Sequence, residues 1–496
     1  MSHKPSLSHS KNDFIREASK GVMPSLSLEI PCIEPYIAYE AFRGPGSILM
    51  ESVKGPMNIA RYSFVCIEPF IEYRIKDGRE TLTHEGTPSD EVTGMPLKTL
   101  RALLGKYKQK PSTALPPFQG GAVGHLSYDF VHYLERVPRS TLDDLEIPDA
   151  HIYFYDRLIA FDHQEQKAWA VITPGARRPE AGDHGSDYDE AADALLRIGN
   201  KLTGLNGIQR DKHADKPDAS TIDICHDVSA EKYIEMVRRV KKYIADGDIF
   251  QANLSLRLSA DIGETDPWHL YLTLREINPS PFAGYLDFGD YVIASSSPER
   301  LVRVHQGTID TRPIAGTRPR GQSAREDKRM RDDLLLNEKE RAEHIMLIDL
   351  ERNDLGRVCD YGSVSVDEMM ITEDYSHVIH IVSNVRGKLA EGKDMLDAIK
   401  ATFPGGTITG VPKVRCMEII DELEDLRRGP YTGSFGYMGY SGNMDMNIII
   451  RTFTVKDRRA TVQAGAGIVA DSDPEHEYGE SLKKAEALIR TLELVV

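Results

Sequence analysis

The chain has 496 residues, which exceeds what one simple hydrophobic core accommodates and suffices for two domains or one large composite domain. Its apolar fraction of 40% and charged fraction of 28% are ordinary for a soluble globular protein. The formal net charge of -16 argues against a nucleic-acid partner, because phosphate binding needs a basic surface. A small anionic substrate is still allowed, since local arginines and a bound cation can reverse the field inside a cleft.

The cysteines and the hydropathy pattern indicate a cellular compartment. The five cysteines are scattered without a CxxC pair, which is typical of reduced thiols in the cytoplasm. The sequence contains no run of eighteen apolar residues and no signal-peptide core. We therefore expect a cytoplasmic enzyme without a membrane or nucleic-acid partner.

The first part of the chain is predicted to be rich in strands. Residues 1–20 are polar, and we expect a disordered tail there. Short apolar runs such as SILMESV, ARYSFVCI and HIYFYDRLIAF then alternate with turn signals. A polar stretch at about 174–222, which includes the helical pattern EAADALLRIGNKL, is interpreted as an exposed linker. This places an N-terminal domain at 21–222.

The remaining residues, 223–496, are predicted to form a catalytic domain. SAEKYIEMVRRVKKYIADGD has the pattern of an amphipathic helix, with Ser229 as its N-cap and Gly247 at its end. A further helix is predicted at about 325–350. Neighbouring strands joined by short turns favour antiparallel pairing. The predicted class is α+β, with antiparallel sheets layered with helices.

Two acidic couplets lie far apart in sequence. Glu340 and Glu343 occur in NEKERAEHIMLIDL, and Glu477 and Glu480 occur in PEHEYGESLKKAEAL. The i, i+3 spacing in a helix places both carboxylates of a couplet on one face. Two such faces together offer the hard oxygen ligands that Mg²⁺ prefers. The alternative is two solvated helix faces.

Several other polar positions are candidates for ligand contacts. The turn GTITGVPK can present Thr407 to a ligand or can serve only as a helix entry. The small residues of QAGAGIV, at 464–467, can form an anion-binding nest or mark a bulge or a crowded strand. Arg451 can bind a carboxylate through two hydrogen bonds, although surface arginines are common.

Two titratable residues are candidates for proton transfer. Glu299, in SSSPERL, can act as a general acid if an apolar pocket keeps it protonated, or it can have a structural hydrogen-bonding role. His380 lies in the apolar run VIHIVSNV, where a histidine is more often a satisfied core or edge residue. No Ser-His-Asp spacing and no His/Cys cluster stands out.

Longer segments of the second half occur together: PIAGTRPRG, AEHIMLIDLERNDLGRV, YSHVIHIVSNVRG, FPGGTITGVPKVRCMEIIDELE and GAGIVADSDPEHEYGESLKKA. Together they closely resemble the chorismate-utilising enzyme family, over residues from about 35 to 490. The resemblance implies the large composite chorismate-binding fold, preceded by a strand-rich region. It also implies Mg²⁺-dependent binding of chorismate and nucleophilic attack on its ring.

The resemblance assigns roles to the residues that match the family's motif positions. Metal binding is implied for the two couplets, and catalysis for Glu299 and His380, with Glu299 assisting departure of the C4 hydroxyl. The implied substrate-binding residues are Thr407, Tyr431, Arg451, Gly465, Ala466, Gly467 and Lys484. Ser52, Pro281 and Phe282 match the region of the fold that can hold tryptophan, as an inhibitor or as a structural ligand.

Two ammonia-using members of the family are the alternatives for the reaction. FQANLSLR, SPFAGYL and GPYTGSFGY resemble the aminodeoxychorismate-forming type, whereas ILMESV and PIAGTRPRG resemble anthranilate synthases. Many aminodeoxychorismate synthases carry a nucleophilic lysine where this chain has Ala315, and alanine cannot form a covalent adduct. Both types imply a separate glutamine amidotransferase subunit that supplies ammonia. A catalytically silent homologue that binds an aromatic amino acid is a third alternative.

Overall fold

The computed structural model describes residues 6–178, 182–205, 207, 222–321, 323–374 and 378–496, with the backbone alone for 88–93. Within these ranges helices and strands are interspersed, and every strand pair except β1 with β8, defined below, is antiparallel. The predicted α+β class is therefore confirmed.

The elements of the first part are mostly strands, as the alternating apolar runs predict. In chain order they are α1 (Lys11–Ala18), β1 (Met23–Pro24), β2 (Leu26–Ile30), α2 (Pro35–Phe42), β3 (Ile48–Glu51), β4 (Tyr62–Cys66), β5 (Ile71–Lys76), β6 (Arg79–His84), β7 (Thr87–Thr93), α3 (Pro96–Gly105), β8 (Gln109–Lys110), β9 (Gly121–Leu126), β10 (Ala150–Tyr155), β11 (Arg157–Asp162), β12 (Lys167–Ile172) and α4 (His184–Thr203). A short 3-10 helix, Tyr128–Tyr133, follows β9.

The second part adds longer helices. In chain order its elements are β13 (Cys225–His226), α5 (Ala230–Ala245), β14 (Gln251–Asp261), α6 (Pro267–Ile277), β15 (Phe282–Asp287), β16 (Tyr291–Ser297), β17 (Arg300–His305), β18 (Thr308–Thr311), β19 (Ile314–Pro319), α7 (Ala324–Leu336), α8 (Glu338–Gly356), β20 (Ser365–Asp374), β21 (Val378–Lys388), α9 (Met395–Thr402), β22 (Gly410–Val411), α10 (Lys413–Leu423), β23 (Ser434–Gly439), β24 (Met444–Asn447), β25 (Thr452–Lys456), β26 (Arg459–Ile468) and α11 (Pro474–Val495). A 3-10 turn, Gly406–Ile408, precedes β22.

Helix boundaries follow the capping residues. The Ser229 side chain accepts a hydrogen bond from the Lys232 backbone and begins α5, as predicted. The single helix expected at about 325–350 is wrong, because Asn337 has extended backbone angles and separates α7 from α8. The Asn337 side chain accepts a hydrogen bond from the Glu340 backbone, so it caps α8. The cap places Glu340 in the first turn of α8.

Two twelve-stranded sheets organise the molecule. Sheet 1 has the order β19-β21-β18-β17-β24-β23-β9-β10-β5-β6-β7, with β20 paired to β21. Sheet 2 has the order β13-β14-β26-β25-β16-β15-β3-β4-β11-β12-β2, with β22 paired to β14. An apolar cluster that includes Phe64, Val123, Tyr153, Ile293 and Phe435 fills the space between the sheets. The two sheets therefore pack face to face.

Helices cover the outer faces of both sheets. On sheet 2, α5, α6 and α11 pack against β14, β16 and β26. On sheet 1, α8 and α9 pack against β21 and β17. The order of layers is therefore helix, sheet, sheet, helix, and each sheet buries apolar side chains on both faces.

The predicted division at 222/223 does not separate two cores. In sheet 2, β3 pairs with β15 through Leu49 and Tyr285. In sheet 1, β9 pairs with β23 through Val123 and Tyr437. Both sheets thus contain strands from both parts of the chain, which folds as one composite unit.

Two expectations for the first part need correction. The disordered tail predicted at 1–20 is wrong for α1, because Phe14 of that helix is fully buried beside α4. The exposed linker predicted at about 174–222 is wrong for α4, whose Leu195 packs in the core of sheet 2. Residues 1–5, 179–181, 206 and 208–221 lie outside the described part of the chain.

Candidate functional site

Glu299 forms the centre of the site, between β16 and β17. Its side chain is 7% exposed, and the Thr407 hydroxyl donates a hydrogen bond to Oε1 at 2.9 Å. Burial raises the pKa of Glu299 to about 7, against the lowering effects of Thr407, the Ile314 backbone and the Lys484 ammonium. Glu299 is therefore protonated in part at neutral pH, as a general acid requires.

Arg451 lies between β24 and β25, where the chain leaves one sheet and enters the other. The strand β24 ends at Asn447, so the run MNIIIR is not one strand, and Arg451 has φ +53°. In the described part of the chain its guanidinium makes no hydrogen bond or ion pair. Burial lowers the pKa of Arg451, an effect that the nearby Tyr431 opposes. A partly exposed, unpaired guanidinium is a strong candidate for binding a ligand carboxylate.

His380 lies on β21 beside β19. Its Nδ1 is 2.9 Å from Thr317 Oγ1 and 3.2 Å from the Gly316 carbonyl oxygen. Burial lowers the pKa of His380 to about 4, helped by the Arg451 charge and opposed by the Gly316 hydrogen bond. The imidazole is therefore neutral at pH 7, and the charge effect places it near Arg451.

The small residues at 465–467 belong to a regular extended strand, β26, and neither glycine has a positive φ. The anion-binding nest is therefore wrong, and the crowded strand is correct. A Cβ on Gly465 would lie 2.2 Å from the Leu254 carbonyl oxygen of β14, while Ala466 is fully buried. A Cβ on Gly467 would lie 2.3 Å from Gln251 Nε2.

The other edge of β26 is open in the described structure, because pairing with β25 ends at Phe453 and Val462. Lys484 of α11 reaches this region, and its Nζ donates a hydrogen bond to the Gly465 carbonyl oxygen at 3.0 Å. The same ammonium lies 2.8 Å from Glu480 Oε1. Lys484 thus links the strand to the second acidic couplet.

The acidic couplets of α8 and α11 face the same region. Burial raises the pKa of Glu343, and the charges of Glu340, Asp471 and Glu477 raise it further, against Lys339. A Cβ on Gly316 would lie 2.8 Å from Glu340 Oε2, so this couplet adjoins the His380 contact. The structure therefore places the acidic couplets close to His380, which lies near Arg451.

Protein cations pair with the carboxylates predicted to bind metal. Arg318 Nη1 lies 3.1 Å from Glu340 Oε1, and Lys484 Nζ lies 2.8 Å from Glu480 Oε1. Burial opposes ionisation of Glu480, but Lys484 outweighs burial and lowers the pKa of that carboxyl. Among the described residues no group of three or more His, Cys, Asp or Glu is close enough to hold a metal ion.

The donor chemistry nevertheless fits a hard divalent cation. Burial raises the pKa of Glu477, and the neighbouring Glu480 raises it further. Besides burial, the pKa of both Glu343 and Glu477 is raised by neighbouring carboxylates, which places the acidic groups close together. These carboxylates can hold Mg²⁺ once Arg318 and Lys484 turn away.

A buried arginine, which the sequence analysis did not identify, connects several segments next to the site. Arg428 is 2% exposed and forms two hydrogen bonds to Glu424, at 2.8 and 2.7 Å. It also donates to the Ile408 and Asn253 carbonyl oxygens and lies 5.7 Å from the Tyr431 ring centroid. A sequence signal was present, since an i, i+4 Glu–Arg pair precedes GPYTG.

Ser52, Pro281 and Phe282 lie together around a separate cavity of about 550 Å³. The Ser52 hydroxyl donates to the Tyr62 and Pro281 carbonyl oxygens at 2.8 and 3.0 Å. Rings of Phe64 and Phe282 contribute to the walls. None of the predicted catalytic, substrate-binding or metal residues lines this cavity, so the chain has two distinct candidate sites.

The first site combines four chemical capabilities. It has an unpaired guanidinium for a carboxylate, a buried acid that is half protonated near neutral pH, a neutral imidazole and an acidic cluster for a cation. This combination suits a dianionic substrate that loses a poor leaving group with the help of a proton. In the described ranges every helix is too short or too polar to span a membrane.

Comparison with known proteins agrees with this chemistry. Aminodeoxychorismate synthase component 1 of Bacillus subtilis is 46% identical over 423 residues, which cover 84% of this chain and 86% of that protein. Anthranilate synthase component 1 of Acetivibrio thermocellus is 44% identical over 409 residues, 81% of each chain. Anthranilate synthase component 1 of Thermus thermophilus is 46% identical over 423 residues, 85% of this chain and 87% of that protein.

Solved structures show the same architecture. Anthranilate synthase component I from Streptococcus pneumoniae superposes with a TM-score of 0.75 at 36% identity, over 92% of this chain and 98% of that chain. The menaquinone-specific isochorismate synthase of Escherichia coli shares the fold alone, with a TM-score of 0.69 at 16% identity over 94% of each chain. The profile of the family described as chorismate binding enzyme matches residues 47–490. The chain therefore belongs to the chorismate binding enzyme family.

Proposed function

We propose that the protein aminates chorismate to 4-amino-4-deoxychorismate, with ammonia supplied by a glutamine amidotransferase subunit. The observation that carries the proposal is the unpaired Arg451 guanidinium, and the partly protonated Glu299 supplies the acid. The 46% identity to a Bacillus subtilis aminodeoxychorismate synthase component 1 supports this choice of product.

Arg451 supplies the main contact for substrate binding in this proposal. Its guanidinium binds the enolpyruvyl carboxylate of chorismate, because no protein carboxylate of the described residues competes for it. Tyr431, 9% exposed beside it, adds a hydroxyl. Thr407 and the open edge of β26 at Gly465 complete the contacts on this side of the ring. The substrate carboxylate thus neutralises a charge that the fold leaves unpaired.

Glu299 performs the proton step. Its protonated carboxyl donates to the departing C4 hydroxyl, which leaves as water while ammonia attacks the ring. Thr407, which donates to Oε1 at 2.9 Å, leaves the other carboxyl oxygen to carry the proton. The neutral His380 helps to hold the substrate beside Arg451 without adding a second charge.

In this proposal the acidic couplets bind the second substrate carboxylate, on C1, through a metal ion. Glu340 and Glu343 of α8 and Glu477 and Glu480 of α11 would hold Mg²⁺, with Arg318 and Lys484 displaced from their present partners. The bound ion would polarise the conjugated ring through the C1 carboxylate and fix its orientation. Addition of EDTA should abolish turnover, and Mg²⁺ should restore it.

Ala315 bears on the choice of product. It lies on β19 next to Gly316 and offers no side-chain nucleophile, so the proposal requires amination without a covalent adduct at this position. Anthranilate formation, which needs no such adduct, is the second candidate. The anthranilate synthase components that are 44% and 46% identical to this chain support it.

Product analysis separates the two candidates. Purified protein is incubated with chorismate, Mg²⁺ and ammonium, and the products are separated by chromatography. A product that becomes 4-aminobenzoate only after a lyase is added supports the proposal, whereas direct appearance of fluorescent anthranilate contradicts it. Glu480→Ala should lose turnover, and Glu486→Ala, an exposed acid of the same helix, should retain it. Turnover by the parent excludes a silent homologue.

The ammonia source needs a separate measurement. We expect glutamine with the amidotransferase subunit to support a higher rate than free ammonium at the same low nitrogen concentration, because ammonia passes directly between the subunits. Equal rates at matched concentration would contradict direct transfer. A partner subunit carrying an inactivated glutaminase site provides the control.

A further inference from the structure

A second buried carboxyl, Glu351, lies near Glu299 and has no part in the reaction described so far. Glu351 is 6% exposed and belongs to α8. It follows Glu343 by two turns, so both side chains occupy one broad face of the helix, separated by about 12 Å along its axis. The helix face that carries the metal-side couplet therefore continues to a second, buried acid.

The turn that contains Thr407 lies beside both Glu299 and Glu351. The Thr407 hydroxyl donates to Glu299, and the preceding residue, Gly406, has no side chain. A Cβ built on Gly406 would lie 3.6 Å from Glu351 Oε1, so the Glu351 carboxyl is packed against this turn. One short turn thus adjoins both carboxyls.

The groups around Glu351 favour its protonated form. Burial raises the pKa of Glu351 to about 8, followed by the charge of Asp354 on the same helix; Lys413 of α10 and the Thr311 hydroxyl of β18 lower it, and Glu299 raises it. Lys413 is already committed, since its ammonium pairs with Asp354 and donates to the Thr402 carbonyl oxygen at 3.0 Å. Glu351 therefore holds a proton at neutral pH.

We propose that Glu351 is a positioning residue that acts through Glu299, by returning a proton to it after each donation. The inference rests on the proposed function, in which Glu299 gives its proton to the departing C4 hydroxyl. The O–H bond of Glu299 breaks and water leaves, so Glu299 becomes a carboxylate. The Glu351 carboxyl then transfers its proton to Glu299, and Glu351 takes one from solvent.

The exit for solvent protons lies at the C-terminal end of α8. Asp354, one turn beyond Glu351, feels the charges of Arg357 and Glu135. Arg357 is 54% exposed and lies 3.5 Å from Glu135 at the surface. Ionisable groups thus continue from Glu351 along α8 to the surface at Arg357.

Infrared titration tests the pairing without catalysis. The carbonyl-stretch band of buried protonated carboxyls is followed against pH in the parent, Glu299→Gln and Glu351→Gln. The parent should lose the band in two steps, near pH 7 and pH 8. In Glu299→Gln the Glu351 midpoint should fall below about 8, because the neighbouring charge is gone. An unchanged Glu351 midpoint would overturn the pairing.

Kinetics tests the proton return. Chorismate consumption is measured against pH for the parent, Glu351→Gln, Glu351→Asp and the control Glu338→Gln, which removes an exposed acid of the same helix. Glu351→Gln should lower kcat at least about tenfold with little change in KM, and Glu351→Asp should recover part of the loss. Glu338→Gln should match the parent.

The outcomes separate this inference from the proposed function. If the parent consumes chorismate and Glu351→Gln matches it at every pH, the proton return is wrong and the proposed function stands. If the parent consumes no chorismate, both are wrong. Urea unfolding of each variant shows whether it folds, and the Glu299→Gln titration keeps Glu351 intact, so the pairing is judged even if the Glu351 variants unfold.

Discussion

Arg428 and Arg451 both lie near Tyr431 and differ in how their charges are satisfied. Arg428 is paired with Glu424 and donates to two backbone carbonyl oxygens. Arg451, which is partly exposed, has no hydrogen-bond or ion-pair partner among the described residues, and desolvation lowers its pKa. The first region is complete without a ligand, and the second is not.

The difference has an energetic consequence. Taking an ion out of water costs several kcal/mol, which a buried partner can offset. The desolvation cost of Arg428 is offset within the protein by Glu424, so this pair belongs to the folded structure itself. The cost of Arg451 is left for a ligand carboxylate to offset, so the fold sacrifices stability there to create binding affinity.

Substitution at Arg428 should have the largest effect on stability. Arg428→Met leaves Glu424 buried and unpaired, so we expect the free energy of unfolding to fall by about 3–5 kcal/mol. Urea unfolding followed by circular dichroism measures it. Arg428→Met combined with Glu424→Gln should recover part of the loss, because the orphaned charge is removed. Equal losses in the single and double variants would show that charge pairing is not the cause.

Removal of the Glu299 carboxyl should raise the free energy of unfolding of the protein. The folded pKa of Glu299, about 7, exceeds the ordinary glutamate pKa of 4.5, so the folded state retains a proton that the unfolded chain releases. The contribution of the Glu299 carboxyl to the free energy of unfolding is fully present below pH 4.5. It is lost as pH rises to about 7. Glu299→Gln should be about 3 kcal/mol more stable than the parent at pH 8 and equal to it at pH 4.

The same group sets an upper pH limit on activity, since only protonated Glu299 can donate. The parent kcat should decline above about pH 7, and Glu299→Gln should lose about 10²–10⁴-fold at every pH. A retained pH decline in an active Glu299→Gln variant would assign the limit to another group.

Substitution at Arg451 tests whether the unpaired arginine contributes to substrate binding and not to stability. Arg451→Met should raise the KM for chorismate about 100-fold, equivalent to about 2.7 kcal/mol, without lowering the free energy of unfolding. Arg451→Lys should recover only part of the affinity, because it lacks the planar fork. A loss of stability as large as that of Arg428→Met would erase the distinction between the two arginines.

The Ser52 cavity extends the comparison to a third arginine, Arg300. That guanidinium lines the cavity but makes two hydrogen bonds to Asp445, at 2.8 and 3.0 Å. With that charge satisfied, the cavity presents aromatic rings, including Phe64 and Phe282, among polar side chains. At ten times its Kd, tryptophan should raise the free energy of unfolding by about 1.4 kcal/mol, and Ser52→Tyr should abolish the effect. No shift with the parent would exclude this ligand.

Local features of the fold were predictable from sequence. The apolar face and the Ser229 cap of α5 are encoded in adjacent residues, so the helix boundaries were correct. The break at Asn337 was missed because flanking helical patterns continue across it, while the capping bond to Glu340 depends on the folded backbone. The alternating run MNIIIR has the pattern of one strand, but the chain passes from one sheet to the other in this run. An alternating pattern cannot reveal such a crossing.

The sequence by itself determined the family, the class of fold and the identity of the candidate site residues, because long motifs and helix spacing are local properties of the chain. Only the tertiary structure decided which charges are satisfied: Arg428 by Glu424, Glu340 by Arg318, and Arg451 by none of the described residues. Pairing and burial depend on distances between remote segments, and those distances set the pKa of Glu299 and the affinity reserved for a ligand.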